Sequence, residues 1–342
     1  MAAPLRSCCC SPGANLLRRS ADLFAGQTSQ ITTRHVSPGI PNTVNVFDRK
    51  VKRIQKNRAS AAADVHIYDY LKDYAARGLA ERLSDVTRDF PCSLDLGCGR
   101  GHVAKYLPKG IVKTWIQCDY SDHMLLQSAT PKDVEEVYRL VADEEFIPFK
   151  ENTFDLVVSC MSLHWVNDLP STLNQIKKVL KEDGVMIGCM LGGESLYQLR
   201  SALQVAETEV KGGFTSHVSP FAGSSDVASL LSAAGFSITT VDTDEVTVRY
   251  PSLQAAMRDL RGMGESHATV DRSSLPLSRR VLSRSEQIYK EYYGESDEKH
   301  GTALPLTFDF VQFIGWKPSA TQPKPARRGS GTKAVLEQTP TS

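Results

Sequence analysis

The sequence predicts an α/β fold in which a mostly parallel sheet carries helices on both faces. Short apolar runs, typical of strands buried on both sides, alternate with segments whose apolar residues recur at three- or four-residue steps. Alternating strands and helices imply right-handed crossovers, which set the strands parallel. The first run ends in a glycine-rich turn, and in such sheets ligands bind at the carboxyl ends of the strands. These features together predict a ligand site at that edge.

Seven strands are expected, with a helical insertion before the last one. The strands are predicted at residues 90–96, 114–120, 137–141, 152–160, 185–191, 236–250 and 304–316. Helices are predicted at 68–83, 103–107, 168–181, 196–206 and 227–234, and those of the insertion at 253–260 and 277–292. Residues 212–221 have the glycine, proline and aromatic content of a mobile loop over a pocket.

Length and charge indicate one large domain with terminal extensions. The 342 residues carry 40 Lys and Arg against 39 Asp and Glu, so no overall charge favours nucleic acid. We expect a presequence at 1–35, a basic arm or linker at 36–64, and the α/β domain at 65–316. Within the domain, 65–191 is the cofactor-binding half and 192–316 the substrate or lid half. Residues 317–342, rich in Pro, Gly, Ser and Thr, are expected to form a disordered tail.

The first 35 residues have the composition of a mitochondrial transit peptide. Arg6, Arg18, Arg19 and Arg34 face a single acid, Asp22, and no uninterrupted apolar run indicates a secretory signal. A disordered N-terminus without targeting function is the alternative. No apolar run in the chain approaches the roughly 20 residues that span a bilayer, so any membrane association is expected to be peripheral.

The arm is strongly basic over residues 45–58. Its last ten positions hold six Lys or Arg residues, while Val46, Phe47, Val51 and Ile54 recur near helical spacing. This pattern is typical of an amphipathic helix that lies on an anionic membrane surface or docks on a partner. A solvated basic helix is the alternative.

The glycine-rich turn favours S-adenosylmethionine over a dinucleotide. Gly97, Gly99 and Gly101 let the backbone turn tightly, but the dinucleotide fingerprint needs a glycine at the sixth position, where His102 stands. Asp95, two residues before the turn, would repel a pyrophosphate and accept hydrogen bonds from a ligand ammonium group. A cofactor with a cationic amino-acid end therefore fits better than NAD.

Acidic residues follow the next two predicted strands at the same edge of the sheet. Asp119 ends the second strand, 22 residues after Gly97, a spacing at which an acid can hydrogen-bond both ribose hydroxyls. Asp143 and Glu144 follow the third strand and can accept the exocyclic amine of adenine. Taken singly, such acids are more often helix caps or solvated turn residues.

The cysteines indicate structural thiols. Three of the eight, Cys8, Cys9 and Cys10, belong to the expected presequence. The other five lie in or beside predicted strands, at spacings that match no zinc ligand set: Cys92, Cys98, Cys118, Cys160 and Cys189. No metal site is predicted from them.

Four ordered motifs resemble those of class I S-adenosylmethionine-dependent methyltransferases over residues 68–191. They are LDLGCGRG, the acid at Asp119, ADEEFIPFKENTFDLVVS and SLHWVNDL. The resemblance implies a Rossmann-like class I methyltransferase fold that binds S-adenosylmethionine. It also implies that the following residues bind the cofactor: Asp95, Gly97, Cys98, Gly99, Gly101, Asp119, Tyr120, Asp143, Glu144 and Cys160.

A closer resemblance covers nearly the whole chain after the presequence. With the motifs above, NVFDRKVKRIQKNRA, SLHWVNDLP, GGESLYQLR and GMGES are similar to mitochondrial complex I assembly factors of the arginine-hydroxylase type. Bacterial methyltransferases that esterify malonyl groups on carrier protein are their cousins. The resemblance implies a matrix protein, peripheral to the inner membrane, that acts on an early complex I assembly intermediate. Its implied activity is hydroxylation of an arginine in the quinone-proximal iron–sulfur subunit.

The residues themselves leave the reaction open. Methyl transfer to a carboxyl or protein substrate and a non-catalytic chaperone role are the alternatives to hydroxylation. His164 and Trp165 follow the fourth strand, where this fold commonly places residues that face the substrate, although an aromatic core contact explains them equally well. His217 lies in the pocket loop; with His164 and a carboxylate it could build a non-haem iron site, but no compact His-x-Asp or His-x-Glu pair occurs. These three are the candidate catalytic residues.

Overall fold

The computed structural model describes residues 45–272, 276–297 and 301–323, together with residue 328. The predicted presequence, 1–35, and most of the predicted tail lie outside these residues. The first residues of the expected tail continue the ordered chain, because the Lys317 N–H donates to the Gly184 carbonyl at 2.8 Å and the Gln322 side chain donates to Asp183 at 2.9 Å. Over the described residues, no helix has both the length and the apolar character needed to cross a bilayer.

One central sheet organises the domain. Its strands are β1 (Phe90–Leu96), β2 (Val112–Asp119), β3 (Glu136–Val141), β4 (Phe154–Cys160), β5 (Leu180–Leu191), β6 (Ser237–Tyr250), β7 (Glu295–Asp297) and β8 (Gly301–Trp316). Their order is β3-β2-β1-β4-β5-β8-β6; β1 to β5 are parallel, and β8 runs antiparallel to β5 and β6. The mostly parallel, Rossmann-like sheet is confirmed. The expected count of seven strands omitted β7, which pairs with the start of β8 and whose three residues are too few to show a periodic pattern.

Helices cover both faces of the sheet. They are α1 (Arg49–Ser60), α2 (Tyr70–Ser84), α3 (His102–Tyr106), α4 (Asp122–Leu126), α5 (Leu169–Val179), α6 (Tyr197–Lys211), α7 (Ser224–Ala233), α8 (Leu253–Gly262) and α9 (Arg279–Tyr293). The apolar stripes of α2, α6, α8 and α9 pack into one core layer and those of α5 and α7 into the other. The predicted helical insertion before the last strand is confirmed as α8 and α9.

Helix α1 lies across the carboxyl edge of the sheet. Phe47, just before the helix, stacks edge-on against Trp165 with ring centroids 5.4 Å apart, and Lys52 is only 2% exposed. The arm is predicted to be an amphipathic helix on a membrane or a partner, or else a solvated basic helix. Both predictions are wrong for the inner face of α1, because this face packs on the chain's own domain and its cations are buried there. The outer face of the helix exposes Lys50, Ile54 and Arg58.

A side chain at Gly97, in the turn after β1, should destabilise the protein more than one at Gly110. The φ angle there is +73°, and an added Cβ would lie 2.2 Å from the Ser162 Oγ; Gly110 has a similar φ of +77° but open space around it. We expect Gly110→Ala to lower the free energy of unfolding by about 1 kcal/mol through backbone strain, and Gly97→Ala by about 1–3 kcal/mol more through the clash. Urea denaturation of both variants measures the difference, and equal losses would contradict the steric argument.

Candidate functional site

The glycine-rich turn sits between the carboxyl ends of β2 and β4. The Gly97 N–H donates to the Cys118 carbonyl at 2.8 Å, which anchors the turn to the neighbouring strand. Gly97, Gly99 and Gly101 all have positive φ angles, as the tight turn requires. Gly101 serves the fold directly, since a Cβ there would lie 2.7 Å from the Ala129 backbone nitrogen.

Asp95, near the end of β1, is a buried acid without a partner. It is fully shielded from solvent, and neither of its carboxylate oxygens has a hydrogen-bond partner in the described part of the chain. Burial and the nearby Asp119 carboxylate raise the pKa of Asp95 well above its usual range. Because buried polar groups are nearly always hydrogen-bonded, this carboxyl group is suited to a ligand that brings donors.

Asp119, at the end of β2, is held by three donors. Its Oδ2 accepts from the Gly99 N–H at 2.8 Å and from Lys56 Nζ at 2.7 Å, and its Oδ1 accepts from the Ser121 N–H at 2.7 Å. Burial opposes the charge on Lys56, but the Asp119 and Glu144 carboxylates together outweigh it and raise the pKa of Lys56. The predicted ribose-binding acid is therefore ion-paired with helix α1.

The acids that follow β3 are paired with the same helix. Arg49 donates through Nη2 to Asp143 Oδ1 at 2.7 Å and to the Glu144 carboxylate, and Ser162 Oγ donates to Glu144 Oε1 at 2.7 Å. Burial alone would raise the pKa of Glu144, but Arg49 and Lys56 hold it at about 2. Helix α1 thus neutralises the predicted adenine-binding acids as well.

These contacts bring the ten predicted cofactor residues together with little space between them. The cavity at the turn has a volume of about 20 Å³, enough for one water molecule. Six of the ten residues line it: Gly97, Cys98, Gly99, Tyr120, Glu144 and Cys160. Of the other four, Asp95 and Gly101 lie within two residues of Gly97 and Gly99 in the chain, and Asp119 and Asp143 bind Gly99 and Arg49, which line the cavity. Helix α1 contributes Arg49, Lys52 and Lys56 to the same wall.

Glu265, in the turn after α8, is a second buried acid with several polar partners. Its Oε2 accepts from Trp165 Nε1 at 2.7 Å and lies 3.3 Å from His164 Nε2. Lys72 Nζ lies 3.1 Å from Oε1, and Lys52 Nζ lies 3.6 Å from Oε2 and over the Trp165 ring. Burial would raise the pKa of Glu265, but Lys52 and Lys72 hold it well below its usual range.

The three candidate catalytic residues contact two different acids. His164 and Trp165 are buried and share Glu265, and burial lowers the pKa of His164. His217 lies 3.0 Å from Glu207 instead. The described residues contain no group of three or more His, Cys, Asp or Glu that could hold a metal ion. The two histidines therefore do not form a ligand set around a shared carboxylate.

A larger cavity, of about 280 Å³, adjoins the small one. Trp165 and Glu265 line both cavities and form the partition between them. The larger cavity is bounded by α6, by α8 and by the segment predicted as a pocket loop. That prediction is confirmed in position, because the segment contributes Ser216, His217, Val218, Ser219 and Phe221 to the lining.

Sequence patterns did not reveal Arg49, Lys52, Lys56 or Glu265 as members of the site. The three cations did carry a signal, because they recur at three- and four-residue steps and so share one face of a helix. Glu265 lies in the GMGES motif that contributes to the resemblance, but no periodicity or spacing assigns it a role: it follows Gly264 in a short turn, 101 residues from its partner His164.

Known proteins resemble the chain at two levels. A family model described as a methyltransferase domain matches residues 94–188. The protein named arginine-hydroxylase NDUFAF5, mitochondrial, from Danio rerio is 49% identical over 86% of this chain and 89% of its own length. Its Homo sapiens counterpart is 46% identical over 95% of this chain and 90% of its own length. A malonyl-[acyl-carrier protein] O-methyltransferase of Methylovorus is 26% identical over 78% of this chain and 89% of its own length.

Removing the charge of Glu265 should destabilise the fold. Lys72 would lose its counter-charge, and Lys52, whose pKa burial already lowers, would lose the carboxylate that opposes this burial effect. We expect Glu265→Gln to lower the free energy of unfolding by about 3–5 kcal/mol at pH 7. Glu209→Gln, which breaks an exposed ion pair with Arg284, should change stability little. Urea denaturation of the two variants provides the comparison.

The effect of Glu265→Gln should also depend on pH. The folded state depresses the pKa of Glu265, so its contribution is complete above the unfolded-state pKa of about 4.3 and is lost progressively as the pH falls below that. The difference in unfolding free energy between wild type and Glu265→Gln should therefore narrow in acid. A difference that stays constant from pH 7 to pH 3 would contradict the charged state assigned to Glu265.

Proposed function

The chain belongs to the mitochondrial arginine-hydroxylase NDUFAF5 family, and from this premise we propose that it hydroxylates an arginine side chain of a protein substrate. The supporting observation is the extent of the similarity. The match to the human relative covers 95% of the 342 residues and so leaves out about 17. It therefore includes both the arm that begins before Arg49 and the Glu265 turn, beyond the methyltransferase domain at 94–188.

We propose S-adenosylmethionine as the cofactor because the residues at the turn fit it in kind. Asp95 offers an unpartnered buried carboxylate for the ammonium group. Gly99 leaves room for close approach, since the nearest atom to a Cβ there would be 3.8 Å away. Asp119 and Glu144 offer acceptors for the ribose hydroxyls and the adenine amine. In methyltransferases this cofactor supplies an electrophilic methyl group when bound.

Cofactor binding requires helix α1 to release two of these acids. Lys56 and Arg49 are the partners of Asp119 and Glu144, and a cavity of about 20 Å³ cannot hold a nucleoside. Binding must displace at least these two side chains and offer the acids new donors of comparable strength. The proposed cofactor therefore competes with Lys56 and Arg49 for the carboxylates of Asp119 and Glu144.

Hydroxylation replaces a C–H bond of the arginine side chain with C–OH. With dioxygen as the oxygen source, the second oxygen atom leaves as water and consumes two electrons and two protons from a reductant. The chain's own contribution is to bind the arginine, to exclude water and to hold charge. We assign the binding of the arginine, the exclusion of water and the holding of charge to Glu265, Trp165 and the loop over the larger cavity.

We also propose that the protein acts in the mitochondrial matrix on the quinone-proximal iron–sulfur subunit of complex I, at an early stage of assembly. The relatives' names, which include the word mitochondrial, and the basic, acid-poor first 35 residues support the location. The choice of substrate rests on the resemblance to complex I assembly factors. For contact with the inner membrane, the outer face of α1 offers Lys50, Ile54 and Arg58, since the cations of its inner face are engaged within the domain.

Methyl transfer to a protein or carboxyl group is the second candidate function. It is favoured by the methyltransferase domain model at 94–188 and by the relative named as an O-methyltransferase. Both reactions use the same turn and the same acids, so the product distinguishes them.

Mass spectrometry of the iron–sulfur subunit, isolated from cells with and without this protein, tests the proposal. We expect an arginine-containing peptide to gain the mass of one oxygen atom when the protein is present. A gain equal to one methylene group would support the second candidate instead. An unchanged subunit would contradict both and favour the chaperone role.

Two substitutions should change the affinity for S-adenosylmethionine in opposite directions. Asp95→Asn removes the anionic partner of the ammonium group, so we expect about 10- to 100-fold weaker binding by titration calorimetry. Asp155→Asn is its control, because Asp155 is also buried in a strand but pairs with Lys181 at the other end of the sheet. Lys56→Gln frees Asp119 from competition and should strengthen binding severalfold.

Lys50→Gln, on the exposed face of the same helix, is the control for Lys56→Gln and should leave the affinity unchanged. Weaker binding by Lys56→Gln would show that Lys56 assists the cofactor and would overturn the competition. A wild-type protein without measurable affinity would overturn the choice of cofactor.

A further inference from the structure

The larger cavity has the form of a slot for a long side chain with a polar end. Its volume of about 280 Å³ equals the share of roughly nine water molecules in the liquid, more than the seven non-hydrogen atoms of an arginine side chain require. Much of the wall is apolar and comes from α6, the loop and α8, through Leu199, Leu203, Val218, Met257 and Leu260. Such a wall suits a methylene stem.

Two polar groups of the slot have hydrogen-bonding capacity left. Ser219 is 2% exposed, and its Oγ has no hydrogen-bond partner among the described residues. The carboxylate of Glu265 has about four lone-pair positions, and the donors on Trp165, His164 and Lys72 occupy three of them. Lys52 Nζ contributes charge from 3.6 Å, outside hydrogen-bond distance of Oε2. A buried hydroxyl without a partner and a charged carboxylate with a free position call for a ligand with several N–H donors.

The lysines that contact Glu265 do not line the slot. Lys52 and Lys72 line the small cavity, on the cofactor side of the partition. On the slot side, Arg272 is bound to Asp48 at 3.2 Å and His217 to Glu207 at 3.0 Å. Burial, together with the neighbouring His217, lowers the pKa of His267 to about 4, which leaves that ring neutral near pH 7.

We propose that this slot binds the substrate arginine, with the stem between α6 and α8 and the guanidinium bonded to the Glu265 carboxylate and the Ser219 hydroxyl. The assignment rests on the proposed function. It also places the substrate against the partition formed by Trp165 and Glu265, directly beside the cavity at the glycine-rich turn. Planar guanidinium groups match carboxylates better than ammonium groups do, so the slot selects arginine over lysine.

The test measures binding and product separately on the full-length protein. A fluorescent peptide with one arginine, and matched peptides with citrulline, lysine or glutamate at that position, are titrated by anisotropy. Ser219→Ala removes the hydroxyl without a partner, and Met257→Trp fills the slot from a partly buried position. Thr172→Val is the matched control, because Thr172 also carries a buried hydroxyl without a partner but lies on α5, outside the slot.

The arginine peptide should bind about tenfold more tightly than the citrulline and lysine peptides. Ser219→Ala should weaken arginine binding about tenfold, Met257→Trp should abolish it, and Thr172→Val should leave it unchanged. Thermal unfolding of each variant shows that the fold is retained. Equal binding of arginine and citrulline, tighter binding of glutamate, or an unaffected Ser219→Ala would overturn the assignment.

Oxygen incorporation into the arginine peptide, measured with dioxygen, a two-electron reductant and S-adenosylmethionine supplied, separates failure of the slot from failure of the proposed function. If the wild-type protein hydroxylates the peptide and Met257→Trp does so equally well, the slot is wrong and the function stands. If arginine binding follows the expected order but no oxygen is incorporated, the slot stands and hydroxylation is overturned.

Discussion

The ion pairs between helix α1 and the acids at the carboxyl edge of the sheet are the interaction on which the rest of the site depends. Lys56 meets Asp119, and Arg49 meets Asp143 and Glu144. All five groups are largely withdrawn from water, so each charge is tolerable only while its partner is present. The pairs fix the helix over the glycine-rich turn, and the helix in turn closes the small cavity. Any ligand that binds these acids must replace the positive charge and the hydrogen-bond donors that Lys56 and Arg49 supply.

Asp95 shows why the arrangement is poised for a ligand. Like Asp119, it is fully shielded from solvent, but no cation of the arm donates a hydrogen bond to it. Burial and the neighbouring carboxylate push its pKa upward, so a cation that arrives there gains both a hydrogen-bond partner and relief of repulsion. The site thus combines three acids that the chain pairs with its own cations and one, Asp95, that has no partner among the described residues.

Glu265 connects this cofactor side to the larger cavity. Lys52 of α1 and Trp165 after β4 both contact it, so movement of the helix would alter the partition between the two cavities. Cofactor binding and substrate binding would then share a common element, namely the inner face of α1. This coupling follows from contacts among residues that are distant in the chain.

The sequence by itself determined the fold class, the positions of the seven long strands, the turn after β1 and the acids at the edge. These features are encoded locally, in periodicity, glycine spacing and residues that end strands, and the parallel sheet gathers strand ends at one edge whatever the other contacts are.

Only the tertiary structure decided which partner each acid has. The basic arm is predicted to lie on a membrane, dock on a partner or face solvent, yet the cations of its inner face turn towards the domain. Glu265, in the GMGES turn that has neither strand nor helix periodicity, lines two cavities. The ion pair of Lys56 with Asp119 and the hydrogen bond of His164 with Glu265 link residues 63 and 101 positions apart. No local pattern encodes them, because an electrostatic pairing depends on distance in space and on exclusion of water, and both arise only when the chain has folded.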